Sequence, residues 1–404
     1  MNDILKRDTD ESFLDYQIRL FANKDTYEID SFQIADLLNA DFGSNYTESK
    51  WRKDYAAYVH WKEYIVSNSL DKEIIQKHEE SQLKSEKEKI KAQDQRREYR
   101  KLIRNQARFE EIKDDILLAV KQLEKKKPLN FKAPLLTSDD GKEGLALFSD
   151  WHYGMDINNA INVFNRDVFN QRVADLTNKV IEYGTLHQIE TLHVANLGDL
   201  IGGLIHVSTR VQANEDVIEQ IKYVTETLSE VLSKFASIFP KVKFYNIAGN
   251  HGRTVASKND VGIKENFEYL IPWYIEARLR NHSNVEITNE QDGFISTRIL
   301  NEEVVFTHGH YDRPDQAVVK IPQLLGIIPS YIFSGHIHHH FEKEYGKTTC
   351  MVNGSLVGND DYAMQGRFGS KPSQKFLVFN NDGLECTYVI KLDKSHTKEL
   401  TNVG

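Results

Sequence analysis

Five short apolar runs in this chain each end at one or two side chains able to hold a metal ion. Leu145-Ala146-Leu147-Phe148 leads to Asp150-Trp151-His152, and Leu192-His193-Val194-Ala195 leads to Gly198-Asp199. Phe244 to Ala248 leads to Gly249-Asn250-His251, Val304 to Thr307 to His308-Gly309-His310, and Tyr331-Ile332-Phe333 to Gly335-His336-Ile337-His338. Short apolar runs read as buried strands, and open α/β sheets gather ligands just beyond strand C-termini. The pattern therefore predicts an α/β fold whose loop tips converge. Carboxylate, amide and imidazole donors brought in from several loops suit two divalent ions.

Helices are expected over Asp167 to Tyr183 and Glu215 to Phe239 between those strands. Lys375 to Phe379 and Cys386 to Leu392 read as a hairpin closed by Asn381-Asp382-Gly383. Taken singly the motifs are weak, since Gly-Asp alone is ordinary turn chemistry. Their force lies in all five following strands. His310, His339 and His340 read as neighbours of the ligands, turned outward or supplying hydrogen bonds to them.

The 404 residues exceed what one core serves, so two or more domains are expected. Residues 1–70 read as a small helical domain. Ser31 stands as the cap of a helix through Asn39, a turn lies at Gly43 to Asn45, and a helix follows Thr47 with Trp51, Tyr55 and Val59 on one face. That is a helix-turn-helix candidate whose nucleic-acid footprint would be Lys50, Arg52 and Lys53. Against it, residues 1–70 hold 8 basic and 13 acidic side chains, as a domain that only docks partners would.

Residues 71–127 contain no glycine or proline and read as long helix, either a helical hairpin or one rod whose roughly 57 residues would reach about 85 Å. Arg96, Arg100 and Arg104 recur every fourth residue there, and Lys84 to Arg108 holds 10 basic against 4 acidic residues. This ridge is either a solvated face or a phosphate-backbone contact. Phe109, Ile112, Ile116, Val120 and Leu123 form an apolar stripe that must pack on the rest of the chain or pair with a second copy. Residues 128–143 read as a linker, 144–392 as the metal-binding domain and 393–404 as a polar tail.

The net charge of −9 opposes wholesale electrostatic binding of nucleic acid, although bound metal ions would supply a local positive field. Two cysteines without zinc-type spacing fit a reducing compartment. With neither an apolar leader nor an 18-residue apolar stretch, the expectation is a cytoplasmic protein with no membrane contact.

Residues 144–392, on the strength of these five motifs in this order, resemble the calcineurin-like metallophosphoesterases. Among them, the pairing with extra helices is similar to repair-type nucleases and phage-encoded phosphoesterases. The resemblance implies a two-layered β-sandwich flanked by helices. Carried over residue by residue, it implies that Asp150, His152 and His338 hold one metal and that Asn250, His308 and His336 hold the other. Asp199 would bridge the two, with manganese the expected ion and iron or zinc the alternatives.

A hydroxide between the metals would then attack phosphorus, and His251 would act as general acid. Arg253, with Arg210 or His206, would clamp phosphate oxygens. The chain departs from the family where many relatives carry an acid after Gly-Asn-His, because Gly252 and Arg253 follow His251 here. That leaves open what orients His251. Three functions are consistent with these features. One is a nuclease or phosphodiesterase acting on DNA or RNA, the second a phosphatase or phosphodiesterase of a small molecule or phosphoprotein, and the third a nucleic-acid-binding scaffold with a vestigial centre.

Overall fold

The computed structural model describes residues 3–69, 72–134, 141–205, 213, 215–257, 262–290, 292–367 and 369–393. The chain is a mixed α/β protein with an all-α N-terminal region, and it divides into two compact units, Met1–Arg108 and Phe109–Gly404.

In the first unit a 3-10 turn, Asp3–Leu5, precedes α1 (Phe13–Ala22), α2 (Ser31–Phe42) and α3 (Glu48–Ser69). Helix α4 (Lys72–Lys125) begins in this unit. The cap of α2 falls on Asp30, one residue before the expected Ser31. Its carboxylate accepts the Phe32 and Gln33 N–H groups while the Gln33 side chain accepts from the Asp30 N–H. Gly43 ends α2 at φ 68°, a left-handed conformation that glycine adopts at little cost.

Leu20, Ile34 and Leu38 are fully buried and pack around Trp51, so the aromatic face expected on α3 is the core of a helical cluster. Lys50 pairs with Asp54 and lies 4.7 Å from the Trp51 ring, and Arg52 pairs with Glu48 at 2.9 Å. Two of the three cations proposed as a footprint are therefore met by acids of their own helix. Arg96, Arg100 and Arg104 are exposed along α4.

The second unit starts inside α4. Ile112, Ile116 and Ala119 pack against its main core and Leu123 is buried, so this part of the stripe meets its own chain. The elements that follow are β1 (Glu143–Phe148), the short pair β2 (Ile157–Asn158) and β3 (Val163–Phe164), α5 (Arg166–Leu186) and β4 (Thr191–Asn196). Next come α6 (Val217–Ala236), β5 (Lys241–Asn246), α7 (Leu270–Arg278), β6 (Val285–Asn289), β7 (Phe294–Ile299) and β8 (Glu302–Thr307). The last are α8 (Pro314–Leu325), β9 (Tyr331–Ser334), β10 (Phe341–Tyr345), β11 (Thr348–Val352), α9 (Asp361–Gly366), β12 (Ser373–Asn380) and β13 (Gly383–Lys391).

One sheet runs β13-β12-β1-β4-β5-β6, with β1, β4, β5 and β6 parallel, and the other runs β10-β11-β9-β8-β7, with β8, β9 and β11 parallel. Leu145 and Leu147 of β1 face Val304, Phe306 and Phe333 of the second sheet, whereas Ala146 and Phe148 face the α5 and α6 side. On the far face of the second sheet, Val305 and Ile332 meet Ala317 and Ile321 of α8. Both sheets are thus covered on both sides, which is why their central strands read as unbroken apolar runs. Emptying one such position, as in Leu147→Ala, costs about 2–5 kcal/mol.

Candidate metal centre

Five loops leave the C-terminal ends of the parallel strands β1, β4, β5, β8 and β9, and they carry the donors into one buried site. Asp150 and His152 follow β1, Asp199 follows β4, Asn250 and His251 follow β5, His308 follows β8, and His336 and His338 follow β9. Five of the nine non-glycine residues described with positive φ are in this set: Asp150 at 53°, His152 at 46°, Asp199 at 57°, His336 at 72° and His338 at 63°. Each such residue costs on the order of 1–3 kcal/mol, so the surrounding fold must hold these tips in place. The loops also bond to one another: Asp150 N–H donates to Gly198 O at 3.0 Å and His152 N–H to Asp199 O at 3.0 Å.

The side chains gather in three overlapping groups whose donor atoms lie within 4.8 Å of one another: Asp150, His152 and His338; Asp199, His308 and His336; and His152, Asp199 and His251. In the first group the Nε2 atoms of His152 and His338 are 3.1 Å apart, and Asp150 Oδ1 lies 3.9 and 3.5 Å from them. Burial pushes His338 down to about 3 and His152 well below its usual range, so both imidazoles are neutral at pH 7. Neutral rings facing each other and a carboxylate present more lone pairs than protons. A divalent cation resolves that conflict, and the residues therefore fit the metal that the sequence pattern implies.

In the second group His308 Nε2 lies 3.1 Å from Asp199 Oδ2 and 3.0 Å from Asn250 Oδ1. Its other nitrogen, Nδ1–H, donates to Leu197 O at 2.7 Å, which fixes the ring and directs Nε2 inward. Burial works against charge on His308, but Asp199 outweighs it and raises the imidazole to about 9. His336 is pushed down to about 4, by burial first and then by the His308 charge. Asp199 itself is held well below the usual carboxylate range by the His308 and His251 charges, which overcome its burial. Asp150 goes the other way, up to about 7, because burial dominates.

His251 donates its backbone N–H to Asp199 Oδ1 at 2.7 Å, and its Nδ1–H to Gly202 O at 2.9 Å. The Gly202 carbonyl, rather than an acid at position 252, thus orients the ring. Arg253 is half-buried, its Nε donating to Asn250 O at 3.1 Å. Beside it a narrow cleft runs past His310, Tyr311, Tyr269 and Glu290. His310 is pushed down to about 2 by burial and by the His308 charge, and its Nδ1 is buried without a partner. His206 and Arg210 lie outside the described residues.

Sequence reasoning missed Glu268 and Asn266. Glu268 is fully buried beneath the loops of Asp199 and Asn250, and burial together with the Asp199 charge pushes it up to about 7. A Cβ at position 252 would come within 2.2 Å of Asn266 Oδ1 and 2.9 Å of Glu268 Cγ, so glycine there makes room for both. No motif marks either residue, because their contacts are 17 and 69 positions away in the chain.

The model of the YonJ N-terminal domain family matches residues 2–70. Over 391 residues, 93% of this chain and 95% of the relative, the sequence is 24% identical to the SPbeta prophage-derived uncharacterized protein YonJ of Bacillus subtilis (strain 168). Among solved structures, a novel archaeal phosphodiesterase is 12% identical, with 61% of this chain and 99% of that one covered at a TM-score of 0.31. Vps29 of Cryptosporidium parvum is 13% identical, with 64% and 95% covered at 0.31. Wild-type Vps29 of Entamoeba histolytica complexed with Zn+2 is 13% identical, with 62% and 99% covered at 0.28. Likenesses this distant leave the reading of the site to its own geometry.

Proposed function

We propose that this chain is a two-metal phosphoester hydrolase acting on phosphodiesters, with DNA or RNA as its substrate class. The observation that carries the reading is the convergence of two buried aspartates, one amide and several imidazoles from five loops at the ends of parallel strands. Asp150, His152 and His338 would hold one ion, and Asn250, His308 and His336 the other, with Asp199 shared. When bound, two divalent ions, manganese in our reading, supply the positive field that neutralises phosphate oxygens and acidifies a water nucleophile.

The remaining chemistry belongs to the chain. Because Gly202 O engages Nδ1–H, the proton that His251 gives to the leaving oxygen comes from Nε2. The outer guanidinium nitrogens of Arg253 would clamp a non-bridging oxygen. The exposed ridge of Arg96, Arg100 and Arg104 supports a polyanion as substrate.

A second reading, a phosphatase or diesterase of a small molecule, is favoured by one observation: Lys50 and Arg52 are paired with acids, which weakens the N-terminal footprint. No helix among the described residues is long and apolar enough to cross a membrane, and a cytoplasmic setting remains part of the proposal. The test is a substrate panel with manganese and with EDTA: single- and double-stranded DNA, RNA, para-nitrophenyl phosphate and its bis ester. Metal-dependent cleavage of nucleic acid and of the bis ester is expected. Cleavage of the monoester alone would favour the second reading, and no cleavage of any substrate would overturn both.

A further inference from the structure

Glu268 lies in a 3-10 turn, Phe267–Tyr269, and its carboxylate accepts four backbone N–H groups from two donor loops. Oε2 takes Asp199 N–H at 3.1 Å and Gly249 N–H at 2.7 Å, so one oxygen joins the loop after β4 to the loop after β5. Oε1 takes Leu200 N–H at 2.6 Å and Ile201 N–H at 3.3 Å, fixing the turn just beyond Asp199.

The turn that carries Glu268 is itself tied to the second loop. Asn266 Nδ2 donates to Gly249 O at 2.6 Å, its Oδ1 accepts Glu268 N–H at 2.9 Å, and Phe267 N–H donates to Gly252 O at 2.8 Å. The fit is close enough to dictate glycine twice. A Cβ at 249 would come within 2.1 Å of Asp199 Oδ1, and a Cβ at 252 would strike Asn266 and Glu268.

We infer that Glu268 is the positioning residue of the metal centre. It sets the spacing between Asp199 and Asn250 by holding both loops on one carboxylate, and it touches neither metal nor substrate. Charged acceptors make stronger bonds to peptide N–H than neutral ones do, and all four donors point into a site from which water is excluded. Without that carboxylate the donors would face one another unmatched, and Asp199 would move relative to Asn250 and His308. This inference rests on the metal assignment above and adds a residue to it.

Glu268→Gln tests it in the full chain. In either orientation the amide NH2 opposes two backbone N–H groups, those of Asp199 and Gly249 or those of Leu200 and Ile201. Calorimetric titration with Mn2+ is compared with the parent, and thermal unfolding is recorded in EDTA. The ion of Asn250, His308 and His336, which loses the spacing between Asp199 and Asn250, is expected to weaken by roughly 10–100-fold, and the ion of Asp150, His152 and His338, which shares only Asp199 with it, by less.

A general loosening would weaken both ions together, so equal losses at the two would overturn the positioning role. A folded variant that binds both ions as tightly as the parent would overturn it too. If Glu268→Gln does not fold, Glu268→Asp keeps the charge but is too short to span both loops, and the same unequal loss is expected of it. A parent protein that binds no Mn2+ would instead sink the hydrolase reading.

Discussion

Metal binding at the Asp199 group must displace a proton from His308. In the metal-free protein this imidazole is raised to about 9, since the Asp199 carboxylate 3.1 Å away outweighs burial. Nδ1–H is committed to Leu197 O, so the proton that leaves is the one on Nε2, facing Asp199 and Asn250. A folded value above the unfolded value of about 6.5 fixes the sign. The His308–Asp199 pair stabilises the metal-free fold fully below about pH 6.5, and that contribution is lost as pH rises through about 9.

A cation competes with the same proton, so its apparent affinity climbs over the same window by about tenfold per pH unit. Between about pH 7.5 and 8.5 the Asp150 carboxyl, itself raised to about 7, is mostly ionised, leaving His308 to dominate the slope. Calorimetry with Mn2+ in two buffers of different ionisation heat should register about one proton released at this group and about tenfold tightening across that unit. An affinity that stays flat, with no buffer-dependent heat, would refute the reasoning.

Three further outcomes follow from the geometry. His251→Ala should lower turnover by about 10²–10⁴-fold while both ions still bind, checked by steady-state kinetics beside metal analysis. Gly249→Ala places a methyl 2.1 Å from Asp199 Oδ1 and should cost about 1–3 kcal/mol of stability together with most Mn2+ affinity, read by denaturant unfolding and titration. Replacing Arg100 and Arg104 by glutamate should reduce nucleic-acid binding and flatten its dependence on salt, measured by fluorescence anisotropy, with hydrolysis of the bis ester unchanged.

The strands that carry donors were legible because both of their faces are buried: β1, β4, β8 and β9 coincide with apolar runs. The β5 run was read to Ala248, yet the strand ends at Asn246, since Ile247 and Ala248 are apolar residues buried at the start of the loop that follows it. The edge strands β6 and β10 were not legible, whereas the edge strand β13 was, through its Asn381-Asp382-Gly383 hairpin. β10 carries Glu342, Lys343 and Glu344, all exposed, and β6 alternates Val285, Glu286 and Ile287 along its length. Helix α8 hid behind Pro314 and Pro322; the first sits at its N-terminus, where a missing N–H costs nothing.

At the site, the motifs named every residue that the three groups bring together, because each follows a strand end. Glu268 carries no such signature. Its role exists only once loops distant in sequence meet above it.

Crystals grown with Mn2+ and measured at the manganese edge test the central claim most directly. Two anomalous peaks are predicted, one among Asp150, His152 and His338 and one among Asn250, His308 and His336, with Asp199 between them. A single peak, or none at these donors, would contradict a two-metal centre.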